Sequence, residues 1–90
     1  MAVISHRSKR FRAQFSLLPT HIQELARKNF RLWKSDPWHP SINYKEVKPR
    51  RMSARVGDHY LVLGSKQPDG TIVWTWIGPH ETYNKLLRQR

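Results

Sequence analysis

Ninety residues carry 17 Lys and Arg against 6 Asp and Glu, a formal net charge of +11, in a length that suits one small core and not two. The absence of cysteine excludes a disulfide framework or a thiolate metal site, and no apolar run approaches the roughly 18 residues of a membrane span. Positive charge beyond what solubility requires points to a polyanionic partner, with RNA the first candidate.

In chain order, residues 1–8 are basic and polar without a continuous apolar stretch and are expected to be flexible, leading a single domain over 1–90. Residues 9–17 read as a short strand, because Phe11, Ala13, Phe15 and Leu17 alternate with Arg12, Gln14 and Ser16. Pro19 suits a first helical position, and Thr20 with Gln23 has the form of a capping box. A helix is therefore predicted over 20–35, with Ile22, Leu25, Ala26, Phe30 and Trp33 on one face. Arg27, Lys28, Arg31 and Lys34 crowd its C-terminal half, where they either complement the macrodipole or meet phosphate. Residues 36–41, with Pro37 and Pro40, end it.

Residues 42–51 form a short strand or extended loop limited by Pro49. Strands over 52–57 and 60–64 are joined by the Gly57-Asp58-His59 turn, and a looser turn over 67–70 leads to a strand over 71–77. There Ile72, Trp74 and Trp76 point one way and Val73, Thr75 and Ile77 the other. Two largely apolar faces mark a central strand. Residues 80–88 are predicted as a short helix with Tyr83, Leu86 and Leu87 inward. The order is that of an α+β domain: an N-terminal strand and helix packed on a twisted antiparallel sheet of about four strands, closed by a short C-terminal helix.

The clearest polyanion signal is the segment 45–55, where Lys45, Lys48, Arg50, Arg51 and Arg55 are opposed by the single acid Glu46. No recognition helix lies among these residues, so the patch suits a bent single strand better than a major groove. Trp38 and Tyr44 precede it, and such rings serve either as core or as stacking platforms for bases. Tyr83 leaves the same two readings open.

The five His are scattered singly and the acids are not clustered, so neither a metal nor another cofactor is expected. RNA permits cleavage without one, since its 2′-hydroxyl is a built-in nucleophile. The protein must then supply a proton acceptor, a proton donor and cations for the phosphorane charge. His80 is the candidate for proton transfer. Tyr83, one helical turn on, assists or stacks, and the 45–55 cations stabilise charge.

Taken together, the chain resembles the RelE/ParE superfamily of bacterial toxin–antitoxin toxins. The matching residues are Phe11 and Phe15 before Leu18-Pro19, the helix ending in Trp33, Asp36-Pro37 with His39-Pro40-Ser41, the run Ser53-Ala54-Arg55-Val56-Gly57, the strand 72–78, and His80 with Tyr83. The resemblance implies a cytoplasmic α+β toxin with a basic active face and a cognate acidic antitoxin. RelE-like members cleave mRNA in the ribosomal A site without metal, whereas ParE-like members poison DNA gyrase. By position, Lys45 and Lys48 match the basic loop, Arg55 the arginine of the hairpin strand, and His80 and Tyr83 the C-terminal pair. This implies catalytic roles for His80, Tyr83, Arg55 and Lys48, with RNA contacts from Lys45, Arg50, Arg51, Tyr44 and Trp38. The chain departs from the pattern at Leu61, where many active nucleases of the family carry arginine after the hairpin tyrosine. A non-catalytic basic RNA-binding module remains a third reading.

Overall fold

A computed structural model describes residues 4–88, with side-chain surroundings given through Lys85. The elements are β1 (Ser5–Arg7), α1 (Lys9–Ser16), α2 (Thr20–Ser35), β2 (Lys45–Lys48), β3 (Arg51–Val56), β4 (Tyr60–Lys66), β5 (Ile72–Pro79) and α3 (His80–Arg88). The strands form a sheet of order β1-β5-β4-β3-β2. β1 runs parallel to β5 and the other neighbours are antiparallel. The α+β class stands, but the sheet is mixed and has five strands rather than four.

The N-terminal strand lies elsewhere than expected. Residues 9–16 are helical, capped by Ser8, whose Oγ accepts from the Phe11 N–H at 3.1 Å. Phe11 and Phe15, four apart, share a face and stack at 6.4 Å between centroids, while Leu17 is left 85% exposed. An alternating pattern this short fits either period, and the cap together with the two Phe settles it. The strand is instead Ser5–Arg7, within the lead expected to be flexible, and it pairs with Ile72, Val73 and Trp74.

The capping box is also replaced. α2 starts after Pro19 with no side-chain cap. Gln23 instead turns back, its Nε2 donating to the carbonyls of Phe15 at 3.1 Å and Leu18 at 3.0 Å. The Phe15 carbonyl also accepts from the Leu18 N–H at 3.1 Å, so Gln23 adds a second donor there and supplies one to Leu18 in the connection that follows α1. Gln14 of α1 does similar work on the sheet. β1 covers β5 only as far as Trp74, and the Gln14 Oε1 accepts from the Ile77 N–H beyond it at 3.1 Å.

β5 is central, between β1 and β4, but its faces differ from simple alternation. Leu63 pairs with Trp76 and Gly64 with Trp74, so Thr75 is an extra residue, a bulge. The inserted residue flips the strand. Ile72, Trp74 and Ile77 join Phe11, Ala26, Trp33, Ile42, Met52, Ala54 and Val56 under the helices. Trp76 instead turns to the opposite face with Leu61, Leu63 and Tyr83.

On the helix side Trp33 meets Trp74 edge-to-face at 5.2 Å. The indole N–H groups of both are buried without a hydrogen-bond partner among the described residues. Gly57, at φ +65, makes the turn after β3 and lies against α2, where an added Cβ would stand 2.7 Å from Leu25 Cδ2. Of the residues expected inward on α3, Tyr83 is buried, and Leu86 and Leu87 lie outside the described side chains.

Candidate nucleic-acid interface

α1 and α2 cover one face of the sheet; the opposite face carries α3 at one end and the cations of β2 and β3. Register sets this out row by row, because directly paired residues share a face. Lys45, Ser53, Leu63 and Trp76 form one row from β2 to β5, and Arg55, Leu61 and Gly78 form the next towards the β3–β4 turn. Arg51 faces Ser65 on the other side of the first row. Leu61, Leu63 and Trp76 are the buried floor, with Val47 packed against them and Tyr83 of α3 laid over them. Lys45, Arg51 and Arg55 are exposed and surround Ser53, itself 2% exposed. Arg51 and Arg55 are four residues apart on an extended strand, roughly 13 Å at 3.3 Å per residue, so they suit separate phosphates better than one.

The backbone at Arg55 is held from outside the sheet. β2 pairs with β3 only as far as Ser53, and beyond it the Arg55 N–H donates to the Ile42 carbonyl at 2.6 Å. The Arg55 carbonyl accepts from Asn29 Nδ2 of α2 at 3.0 Å. Arg50 sits at the tip of the β2–β3 turn with φ 60, a left-handed conformation that a bulky residue adopts at a cost. Its N–H donates to Glu46 Oε2 at 3.0 Å and its carbonyl accepts from the Lys66 N–H at 2.8 Å. Glu46 is thereby engaged in shaping the turn. Lys48, also exposed, lies opposite Arg51 across the same turn.

His80 opens α3 immediately after β5, and its N–H donates to the His59 carbonyl of the β3–β4 turn at 2.7 Å. Its ring is exposed, lies 5.9 Å from the Tyr83 ring, and has Nδ1 3.3 Å from Asn84 Nδ2. Arg55 and the end of β5 are two strand spacings apart, roughly 10 Å. The fold thus gathers Arg55, His80 and Tyr83 at the α3 end of this face, with Lys45, Arg51, Lys48 and Arg50 extending towards the β2 edge.

Trp38 and Tyr44 are not part of that face. Tyr44 packs edge-on against Trp33 at 5.6 Å and Trp74 at 6.4 Å on the helix side, and burial raises its phenol above the ordinary value. Trp38, 68% exposed, leans on Tyr44 at 4.9 Å. Their nearness to Lys45 in sequence becomes a position at the sheet edge in the other layer. Three contributors went unrecognised from the sequence: Asn29, Ser53 and the Leu61–Leu63–Trp76 floor. The two-residue spacing of Leu61 and Leu63 was a usable signal; the bulge that brings Trp76 beside them has none.

Among the described residues no group of three or more His, Cys, Asp or Glu side chains could hold a metal ion, and no helix is long and apolar enough to cross a membrane. What the face can do is grip a chain of phosphates along β3 and present an imidazole at one end of the track.

A family model described as ParE-like toxin domain matches residues 20–85. No curated protein sequence matches the chain. Among solved structures, the fold is similar to RelE in the RelE–RelB complex of Pyrococcus horikoshii, at TM-score 0.67 and 19% identity over 88% of this chain and 96% of that one. It is similar to the isolated E. coli RelE toxin, at TM-score 0.66 and 12% identity over 98% of each chain. E. coli YafQ matches at TM-score 0.70 and 10% identity over 90% of this chain and 97% of that one.

Proposed function

The chain belongs to the ParE-like toxin family, and from that premise we propose that it is a toxin that halts translation by cutting mRNA on the ribosome without a metal ion. The observation that carries this reading is the sheet face opposite α1 and α2, where Lys45, Arg51 and Arg55 surround Ser53 and the row of Arg55 runs towards His80 and Tyr83. Phosphates run along the cations, the RNA 2′-hydroxyl attacks the adjacent phosphorus while the bond to the 5′-oxygen breaks, the proton lost by the 2′-hydroxyl is balanced by one gained at the 5′-oxygen, and Arg55 stabilises the charge that develops at phosphorus. His80 moves the proton, and Tyr83 fixes the imidazole against the apolar floor. Lys48 and Arg50 extend the contact at the sheet edge. The substrate places the protein in the cytoplasm, and a cognate acidic antitoxin is its partner, as the RelE–RelB complex of similar fold suggests.

One observation favours a second reading. Leu61 pairs with Arg55 and is 8% exposed, an apolar residue where many active nucleases of this superfamily carry arginine. A leucine there cannot donate to a phosphate, and inhibition of DNA gyrase is the alternative.

Induced wild-type protein is expected to arrest growth and leave cut transcripts. His80→Ala combined with Tyr83→Phe should slow cleavage about 100-fold or more, the usual scale for losing a proton-transfer group. Arrest of undiminished strength in that double variant would sink both assignments. Intact transcripts with filamentation and a DNA-damage response would move the protein to gyrase inhibition.

A further inference from the structure

Ser53 is the one polar residue buried among the described residues, and its hydroxyl makes no hydrogen bond to any of them. A hydroxyl inside a fold without a partner costs free energy that an alanine in its place does not. The unpartnered side-chain polar atoms that are sealed from solvent are the Trp33 and Trp74 indole nitrogens, on the helix side of the sheet. The Ser53 oxygen is not one of them, so the little access that Ser53 retains lies at its hydroxyl. By register its neighbours are Lys45 of β2 and Leu63 of β4, with Arg51 and Arg55 two residues away along β3, each roughly 7 Å distant. Leu63 is buried, whereas the other three are exposed cations on long, flexible stems.

We propose that the Ser53 hydroxyl pairs with a ribose 2′-hydroxyl and so sets the preference of this face for RNA over DNA; the inference rests on the RNA reading of the face. Arg51 and Arg55 suit separate phosphates, and what lies between two phosphates of a single strand is a sugar. The cations neutralise the phosphates of RNA and DNA alike and carry no information about that sugar. Leu61 and Leu63 beside Ser53 offer no side-chain polar atom. A serine hydroxyl both donates and accepts, as does the 2′-hydroxyl, so the two match in either direction. A deoxyribose in the same place leaves the Ser53 hydroxyl unpaired where the bound strand has closed it off from water. A site built around a hydroxyl rejects the analogue lacking it for this reason.

The test compares unstructured RNA and DNA oligonucleotides of one sequence free of uracil and thymine. Binding to the full chain is followed by fluorescence anisotropy, in a His80→Ala background that keeps the RNA whole. With Ser53 present, RNA is expected to bind roughly fivefold more tightly than DNA, the scale of one neutral hydrogen bond. Ser53→Ala should bring RNA affinity down to that of DNA, with DNA affinity and the salt slope unchanged and the melting temperature no lower. Arg51→Ala should weaken both strands alike and keep the ratio, because it removes a phosphate contact. A preference for RNA that survives Ser53→Ala overturns the proposal. So does an equal loss for RNA and DNA in that variant, or equal affinity for the two when Ser53 is present. A Ser53-dependent preference in a chain that, with His80 intact, leaves transcripts whole when induced would remove the nuclease reading and still uphold the sugar contact. Cut transcripts without such a preference would do the reverse.

Discussion

Tyr44 shows how one side chain can be close in sequence to the basic segment and remote from it in the fold. It precedes Lys45, yet its ring lies among Trp33, Trp38 and Trp74, where burial raises the phenol above its ordinary 10.0. A phenol whose folded value is raised contributes stability that is complete below about pH 10, the unfolded value, and lost as pH rises through the higher folded one. Wild type should therefore lose more thermal stability than Tyr44→Phe between about pH 9 and about pH 11, as parallel melts would show. Equal losses would mean that the ring is solvated. Arg55 makes the complementary point. Its side chain was recognisable from the basic segment 45–55, whereas the Ile42 and Asn29 contacts that fix its backbone come from 13 and 26 residues away.

At the scale of elements, the junction of α1 and α2 depends on Gln23. Its amide donates to carbonyls at the end of α1 and in the turn that follows, so Gln23→Ala leaves the Leu18 carbonyl to water and Phe15 with the Leu18 N–H alone, and should cost about 1 kcal/mol. That cost would be seen as a lower urea midpoint at unchanged slope. Gln23→Glu should not rescue it, because a carboxylate cannot donate to a carbonyl; a Glu variant as stable as wild type would discard this role. α2 itself was legible in full, since 16 residues give the helical period more than four turns in which to separate from the strand period. α1 is eight residues, two turns, and its Phe-x-Ala-x-Phe alternation satisfied the wrong period equally well. The bulge at Thr75 was invisible for a related reason. A single inserted residue leaves the local pattern intact and shows only in pairing with β4.

For the whole molecule, charge is distributed over two layers with separate roles. The helix layer holds Arg7, Arg27 and Lys34 over aromatic rings, and the opposite face holds the track along β3. Each phosphate neutralised on a single strand contributes about −0.7 to the slope of log affinity against log salt. Replacing Lys45, Arg51 and Arg55 together by Ala should then flatten that slope by about 2 for an unstructured RNA oligonucleotide. Replacing Arg31 and Lys34 should leave it unchanged. A slope that responds to the helix pair instead would put the track on the other layer.

By itself, the sequence determined the α+β class, the span of α2, the central place of β5, the 45–55 cation cluster and the family. These rest on patterns and compositions local to one stretch of chain. Tertiary structure alone decided that residues 9–16 coil, that β1 adds a parallel edge, that Trp76 turns away from Trp74, and that Trp38 and Tyr44 leave the face on which Lys45, Arg51 and Arg55 stand. Each of these outcomes depends on partners distant in sequence: β5 for β1, β4 for the bulge, Trp33 and Trp74 for Tyr44. A short segment with two compatible periods has its conformation chosen by what it packs against.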